Sequence, residues 1–329
     1  MSNKYPSFKP AFGLGNRHVQ TLAATFLGRL RPIKYNRETI SLPDDDFVDL
    51  DWLNKPLLGS DKPVLIIFHG LEGSSYSHYV RELAHLANQE DWSVVVMNFR
   101  SCSGQLNKRA RLYHSGETAD ASYIINWIHQ NYPDAPLYAA GYSLGGNMLL
   151  KLAGEQGNET VLRALVSVSA PIQLNESTLY MQKGLSRYYQ WYLLRALKRK
   201  AIAKFEQHDY SLLIDLPKHH LMECRDIREF DELFTARIHG FDGASDYYQK
   251  NSAYQFLKSI TRPTLLIHSR DDPIAPGSIL PDADQLPSHI QLDITRHGGH
   301  AGFLGGQLWR TESWLPGRIL DYFKSTRSD

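Results

Sequence analysis

Apolar residues in this chain gather into short runs, separated by stretches where they recur at helical spacing. Val64-Leu-Ile-Ile-Phe68, Ser93-Val-Val-Val-Met97, Leu137 to Ala140, Leu165-Val-Ser-Val168 and Thr264-Leu-Leu-Ile-His268 barely alternate with polar residues. Runs this short and this apolar predict strands covered on both faces, as in a parallel sheet. Ile290-Gln-Leu-Asp-Ile294 predicts a further strand. Between the runs, Val80, Leu83, Ala84 and Ala87 fall on one helical face, as do Ala121, Ile124, Ile125 and Ile128. Strand and helix alternating at short spacing predict a doubly wound, mostly parallel sheet.

Two regions depart from that rhythm. Residues 34–54 alternate polar and apolar around Asp44-Asp45-Asp46, which predicts an antiparallel edge hairpin with a solvated turn. After Pro171 the strands stop. Residues 171–260 hold tyrosines, basic residues and helical patterns without a convincing buried strand. The expected organisation is a core of residues 1–170 and 261–329, interrupted by a mostly helical insertion at 171–260. The rhythm then resumes and ends in a helix with Ile319, Leu320 and Phe323 turned inward. Near the start, Asn16 is placed to cap a short helix through Leu27. Gly13-x-Gly15 follows no strand and lacks a third glycine, so no phosphate loop is expected.

Composition changes the picture little. A formal net charge of +1 over 329 residues gives no global reason to expect nucleic acid or an acidic partner. No apolar run reaches the ~20 residues of a membrane span. The first ten residues lack the apolar centre of a signal peptide. Cys102 and Cys224 do not make a disulfide framework, and a reducing, cytoplasmic location is expected.

The chemistry centres on Gly141-Tyr-Ser-Leu-Gly145. It follows one predicted strand and opens a predicted helix, so Ser143 sits on a sharp turn that only small flanking residues allow. A serine hydroxyl needs a histidine to take its proton, and that histidine needs a carboxylate to fix its tautomer. Both partners follow later strands. Asp271 and Asp272 come after the strand ending at His268, and His297 and His300 after the last strand. Loops after parallel strands share one sheet edge, where such sites form. Asp272-Pro-Ile-Ala-Pro276 matches the Asp-x-Ile-x-Pro common in hydrolases built this way, and Gly299-His300 matches a Gly-His before the last helix. These favour Asp272 as acid and His300 as base. His297 and His300 could instead be a zinc pair, but no third ligand is placed. The backbone N–H groups of Leu144 and of Leu71, in His69-Gly70-Leu71, are the expected oxyanion donors. His69 itself is expected to be structural.

The runs Asn16-x-x-x-Gln20-Thr21, His69-Gly-Leu-x-Gly-Ser74, Asn98-x-Arg100, Tyr113-His-Ser-Gly-Glu-Thr-Ala-Asp120, Gly141-Tyr-Ser-Leu-Gly-Gly-Asn147, Asp271-Asp272-Pro and Gly298-Gly-His300 together resemble the YheT-type esterases of the abhydrolase-domain family. The resemblance spans nearly the whole chain. It implies an α/β-hydrolase fold, carboxylic-ester hydrolysis without a cofactor, and a relay of Ser143, Asp272 and His300. Ser101 departs from the pattern, since relatives often carry glycine there.

In such folds residues 171–260 would form a cap over the serine. Tyr180, Tyr188, Tyr189, Trp191 and Tyr192 would line an apolar pocket or pack the cap onto the core. Arg195, Lys198, Arg199, Lys200 and Lys204 form a basic face beside Leu193, Leu194 and Leu197, either solvated or touching an anionic lipid surface. The expected substrate is a small or medium acyl ester, lipid-derived esters included. A thioesterase or acyltransferase using the same three residues is the rival within enzymes. A non-catalytic ligand-binding protein on the same fold is the rival outside them.

Overall fold

The computed structural model describes residues 5–27, 32–211, 214, 218–307 and 310–327. Its centre is an eight-stranded sheet in the order β1-β2-β4-β3-β5-β6-β7-β8. The strands are β1 (Asn36–Ser41), β2 (Phe47–Leu53), β3 (Val64–Phe68), β4 (Ser93–Asn98), β5 (Leu137–Tyr142), β6 (Leu162–Val168), β7 (Thr264–Ser269) and β8 (Ile290–Thr295). β1 and β2 pair antiparallel, and β2 pairs antiparallel with β4. All other neighbours are parallel. The continuous apolar runs account for this arrangement. Every residue of β3, β4, β5 and β7 is buried, because helices cover both faces of the sheet.

α1 (Arg17–Leu27) precedes the sheet, and α2 (His78–Gln89), α3 (Thr118–Asn131) and α4 (Leu144–Gln156) alternate with its strands. Asn16 caps α1: its Oδ1 accepts from the His18 and Val19 N–H groups at 2.9 and 3.3 Å. One apolar layer packs α2 and the C-terminal helix against one sheet face, through Val80, Leu83, Ala84, Ile319, Leu320 and Phe323. The opposite layer holds Ile124, Ile125, Ile128, Met148 and Leu149.

Between β6 and β7 the described residues form helices only. They are α5 (Leu174–Met181), α6 (Ser186–Phe205), α7 (Lys218–Glu223), α8 (Ile227–Phe230), a π-helical turn (Asp231–Thr235), α9 (Ala236–Ile238), α10 (Ala244–Asn251) and a 3₁₀ segment (Ala253–Ser259). This region has its own apolar cluster, which includes Met181, Leu194, Ala201, Tyr210, Phe230 and Phe234. A hairpin of β9 (Leu304–Gln307) and β10 (Arg310–Ser313) then leads into α11 (Leu315–Ser325). Its strands are too short and glycine-rich to stand out by hydrophobic pattern.

The aspartate-rich turn differs from a solvated one. Asp46 is buried and takes N–H donors from Phe47, Lys108 and Asn107, while Asp44 and Asp46 both accept from the Arg100 guanidinium at 2.8 Å. Arg100 also forms a two-pronged pair with Asp120. A buried guanidinium has to be paired, and here three carboxylates from two elements surround it. Turn and strand signals look identical whether or not a distant arginine arrives to bury them. Next to it, Ser101 has φ 62°, a conformation that suits glycine. Its Oγ donates to Asn107 Oδ1 at 2.6 Å and accepts from Asn107 N–H at 3.0 Å. Those bonds offset the cost of a side chain in a conformation that favours glycine.

Candidate active site

Ser143 occupies the single residue between β5 and α4, with φ 51° and ψ −118°. That conformation is rare for a residue with a side chain; such strain costs about 1–3 kcal/mol and persists only where the surroundings fix it. Here they do. The Ser143 N–H donates to Val168 O at 2.8 Å, and Ser143 O accepts from Asn147 N–H at 3.0 Å. The elbow is also as crowded as its glycines suggest. A Cβ on Gly141 would strike the Gly145 carbonyl, and one on Gly145 would lie 2.5 Å from the carbonyl oxygen of His69.

The loops after β5, β7 and β8 converge because those strands are parallel. His300 Nε2 lies 2.9 Å from Ser143 Oγ, and His300 Nδ1 lies 2.8 Å from Asp272 Oδ2. Asp272 is fully buried, and its Oδ1 also accepts from the Ile274 and Ala275 N–H groups at 2.8 and 2.9 Å. With Nδ1–H held by the carboxylate, the Nε2 lone pair faces the serine hydroxyl. The neighbouring candidates form a separate pair. His297 Nδ1 lies 3.3 Å from Asp271 Oδ2, and Asp271 Oδ1 accepts from Gly299 N–H at 3.1 Å.

The loop after β3 lies against the elbow: a Cβ on Gly70 would be 3.2 Å from Ser143 Cβ. His69 is buried at its base. Its Nε2 accepts from Phe99 N–H at 3.2 Å, so the proton sits on Nδ1 and is donated to Gly70 O at 2.7 Å. Burial pushes its pKa down to about 4, which keeps the ring neutral and structural. The Gly70 N–H donates to Tyr79 Oη at 3.0 Å. Leu71 follows on this loop, and Leu144 opens α4 immediately after Ser143.

Several further residues position the site, and Thr21 and Asn147 among them carry no catalytic residue type. Thr21 Oγ1 accepts from the His300 N–H at 2.9 Å and donates to Arg17 O at 2.8 Å, fixing the histidine backbone from α1. Asn147, buried on α4, donates to the carbonyls of Ser115 and Asn251 and accepts from Ala253 N–H. It ties the elbow helix to the loop before α3 and to the junction of α10 with the 3₁₀ segment, inside the helical insertion. Lys200 reaches from α6 to Glu72 Oε1 at 2.7 Å and to Cys102 Sγ at 3.1 Å, and Tyr113 Oη donates to the same Glu72 oxygen. Burial raises the Cys102 thiol to about 11. The only hint in the sequence was that Thr21, Asn147 and Tyr113 fall inside the motif runs.

The aromatic residues of the insertion divide. Tyr180 accepts from Arg17, and Tyr189 is buried with its Oη 3.1 Å from His18 Nδ1. Tyr188, Trp191 and Tyr192 are exposed, on the face of α6 opposite its buried residues. The basic face divides too. Lys204 is buried and donates to Asn107 O, and Lys198 donates to carbonyls at 222 and 224.

Among the described residues, one group has the composition of a metal site: His114, Glu117 and His239, with ligand atoms within 4.8 Å of one another. Glu117 is already paired with Arg111, and both ring nitrogens of His239 face carbonyl oxygens, of Thr235 and Leu112. His300 has both ring nitrogens engaged, by Asp272 and by Ser143. Glu117, His239 and His300 are therefore held by protein partners, which leaves them poorly suited as a metal's ligand set.

Residues 63–307 match a family described as the alpha/beta hydrolase fold. The chain is 44% identical over 315 residues to YheT of Escherichia coli (strain K12), itself an esterase by name, covering 96% of this chain and 92% of that protein. It is 30% identical to the human phospholipase ABHD3, over 92% of this chain and 75% of the relative. It is 31% identical to the monoacylglycerol lipase of Saccharomyces cerevisiae, over 90% and 65%. Among solved structures, the Pyrococcus furiosus esterase Pf2001 has a TM-score of 0.57 with 15% identity, covering 99% of both chains. The chain belongs to the α/β-hydrolase family, among its YheT-type esterases.

Proposed function

We propose that the chain is a serine carboxylic-ester hydrolase whose reacting groups are Ser143, His300 and Asp272. The observation that carries this reading is the unbroken hydrogen-bonded line from Ser143 Oγ through both nitrogens of His300 to a fully buried carboxylate. A line of that geometry moves a proton off a hydroxyl at neutral pH.

In this reading His300 Nε2 takes the Ser143 proton as Oγ attacks the ester carbonyl, and Asp272 stabilises the imidazolium that forms. The carbonyl oxygen becomes an oxyanion between the Leu71 and Leu144 N–H groups. The intermediate collapses, the C–O bond of the ester breaks, and His300 returns its proton to the leaving alcohol. Water, deprotonated by His300, then attacks the acyl-Ser143 ester and releases the acid. Residues 171–260 act as a cap that shapes the acyl pocket. The relatives named phospholipase and monoacylglycerol lipase favour glycerol-based acyl esters as substrates.

A fluorophosphonate probe should form an adduct on Ser143 in the folded protein, with loss of fluoride, and Ser143→Ala should abolish it. p-Nitrophenyl acyl esters should be hydrolysed equally with and without EDTA. A folded protein without the adduct would favour the binding-protein reading, and EDTA inactivation reversed by zinc would refute the serine mechanism.

A further inference from the structure

From Ser177 to Phe205 the chain holds seven basic residues and no aspartate or glutamate, in a protein whose formal net charge is +1. The folded structure sorts them by direction. Lys200 and Lys204 turn inward, whereas Lys183, Arg187, Arg195 and Arg199 are exposed. The outer face of α6 carries Tyr188, Trp191 and Tyr192, and Leu185 caps its start, each more than half exposed. Spacings of three and four residues put Leu185, Tyr188, Trp191, Tyr192, Arg195 and Arg199 on one continuous stripe. Arg195 lies over the Trp191 ring at 5.8 Å. The opposite face is the buried one, with Ser186, Tyr189, Gln190, Leu194, Ala201 and Lys204.

Large apolar side chains that remain in solvent and cluster mark an interaction surface. Their chemistry narrows the partner. A cytosolic protein interface needs shape and matched polar groups, while a bilayer surface needs tyrosine and tryptophan at the headgroup level and basic residues beside them. This stripe has the second composition, and its unbalanced positive charge complements an anionic surface. Its location also fits. Tyr189, on the inner side of the same turns, bonds to His18 of α1, and Thr21 of α1 holds the His300 backbone. Val19 and Leu22 of that adjoining helix are exposed as well.

We propose that the outer face of α6, from Leu185 to Arg199, docks the protein onto an anionic phospholipid bilayer, with the aromatic end nearest the serine site seated among the headgroups. The docked enzyme would draw its acyl ester from the lipid layer. That last step rests on the esterase reading, but the docking itself does not.

The test uses the full chain and vesicles of phosphatidylcholine alone or with about one-third phosphatidylglycerol, a composition that gives a strong negative surface potential. Flotation should recover the protein with the anionic vesicles and not with the neutral ones, and about 0.5 M salt should release it. Arg187→Glu/Arg195→Glu/Arg199→Glu should lower the partition coefficient at least about 100-fold, since each basic residue at such a surface contributes about fivefold. Tyr188→Ser/Trp191→Ser/Tyr192→Ser should also lose binding. Both variants should keep the wild-type melting temperature and full hydrolysis of a water-soluble ester. Brominated lipid should quench fluorescence in the wild type and much less in Trp191→Phe, a substitution too mild to unfold the chain. Ser143→Ala should bind vesicles normally, which separates failure of docking from failure of catalysis.

Equal binding of wild type and variants, or no binding to anionic vesicles, would overturn the proposal. So would a stable dimer that Trp191→Ser dissociates and vesicles do not. Salt-sensitive binding to double-stranded DNA at the same strength, undiminished by the aromatic substitutions, would reassign the face to polyanions in general.

Discussion

Two aspartate–histidine pairs stand side by side at the sheet edge, built from consecutive aspartates and from histidines three residues apart. Asp272 is wholly buried, and the His300 side chain is 11% exposed; for Asp271 and His297 the values are 21% and 39%. The contact distances are 2.8 Å and 3.3 Å respectively. The residue types are identical, so the difference lies in what surrounds them. Asp272 accepts two backbone N–H groups besides His300, which fixes the carboxylate before any substrate arrives. The second nitrogen of His300 meets Ser143, and its backbone is held by Thr21. Asp271 instead accepts from Gly299 N–H and so braces the loop that carries His300. The comparison teaches that burial and the group at the far end, not residue type, set one acid–base pair apart from the other.

The largest effect expected is on turnover. Asp272→Asn should lower kcat for an activated ester by about three to four orders of magnitude, because an amide can hold the wrong histidine tautomer. Circular dichroism should show the variant folded. Near-normal kcat would break the comparison at its centre.

Stability should separate the pairs next. Asp272→Ala leaves the buried Ala275 N–H and its neighbour at Ile274 without an acceptor, and each such loss costs about 1–3 kcal/mol. Chemical denaturation should therefore show a loss of about 2–4 kcal/mol. Asp271→Ala, at a half-buried position, should lose about 1 kcal/mol or less. Equal losses would mean that burial does not distinguish the two.

Smaller still is the expected kinetic effect of the second pair. Asp271→Asn should reduce kcat about tenfold, through a loosened Gly299 and a less firmly placed His300. His297→Gln should change kcat least of all, since nothing in the serine relay touches that ring. A dead Asp271→Asn beside an active Asp272→Asn would reverse the assignment of the acid.

The sequence alone determined the sheet, the elbow and the chain order of the serine, aspartate and histidine that meet at its edge. These are local signals: an apolar run of strand length has to be buried on both faces, and Gly141-Tyr-Ser-Leu-Gly145 permits only a tight turn. Parallel strands then force their following loops to one edge, so Ser143, the Asp271–Asp272 loop and the His297–His300 loop had to meet. Which aspartate faces which histidine was only favoured by motif, because neighbouring residues in a loop point apart by an amount that pattern does not encode. The tertiary structure decided that Asp272 points into the protein and Asp271 across to Gly299. It also decided that Arg100 gathers Asp44, Asp46 and Asp120, that Lys200 crosses from α6 to Glu72, and that Tyr189 is buried while Trp191 is not. Each of these depends on a partner far away in the chain, and a side chain's burial is set by what packs against it, which its own sequence neighbours do not specify.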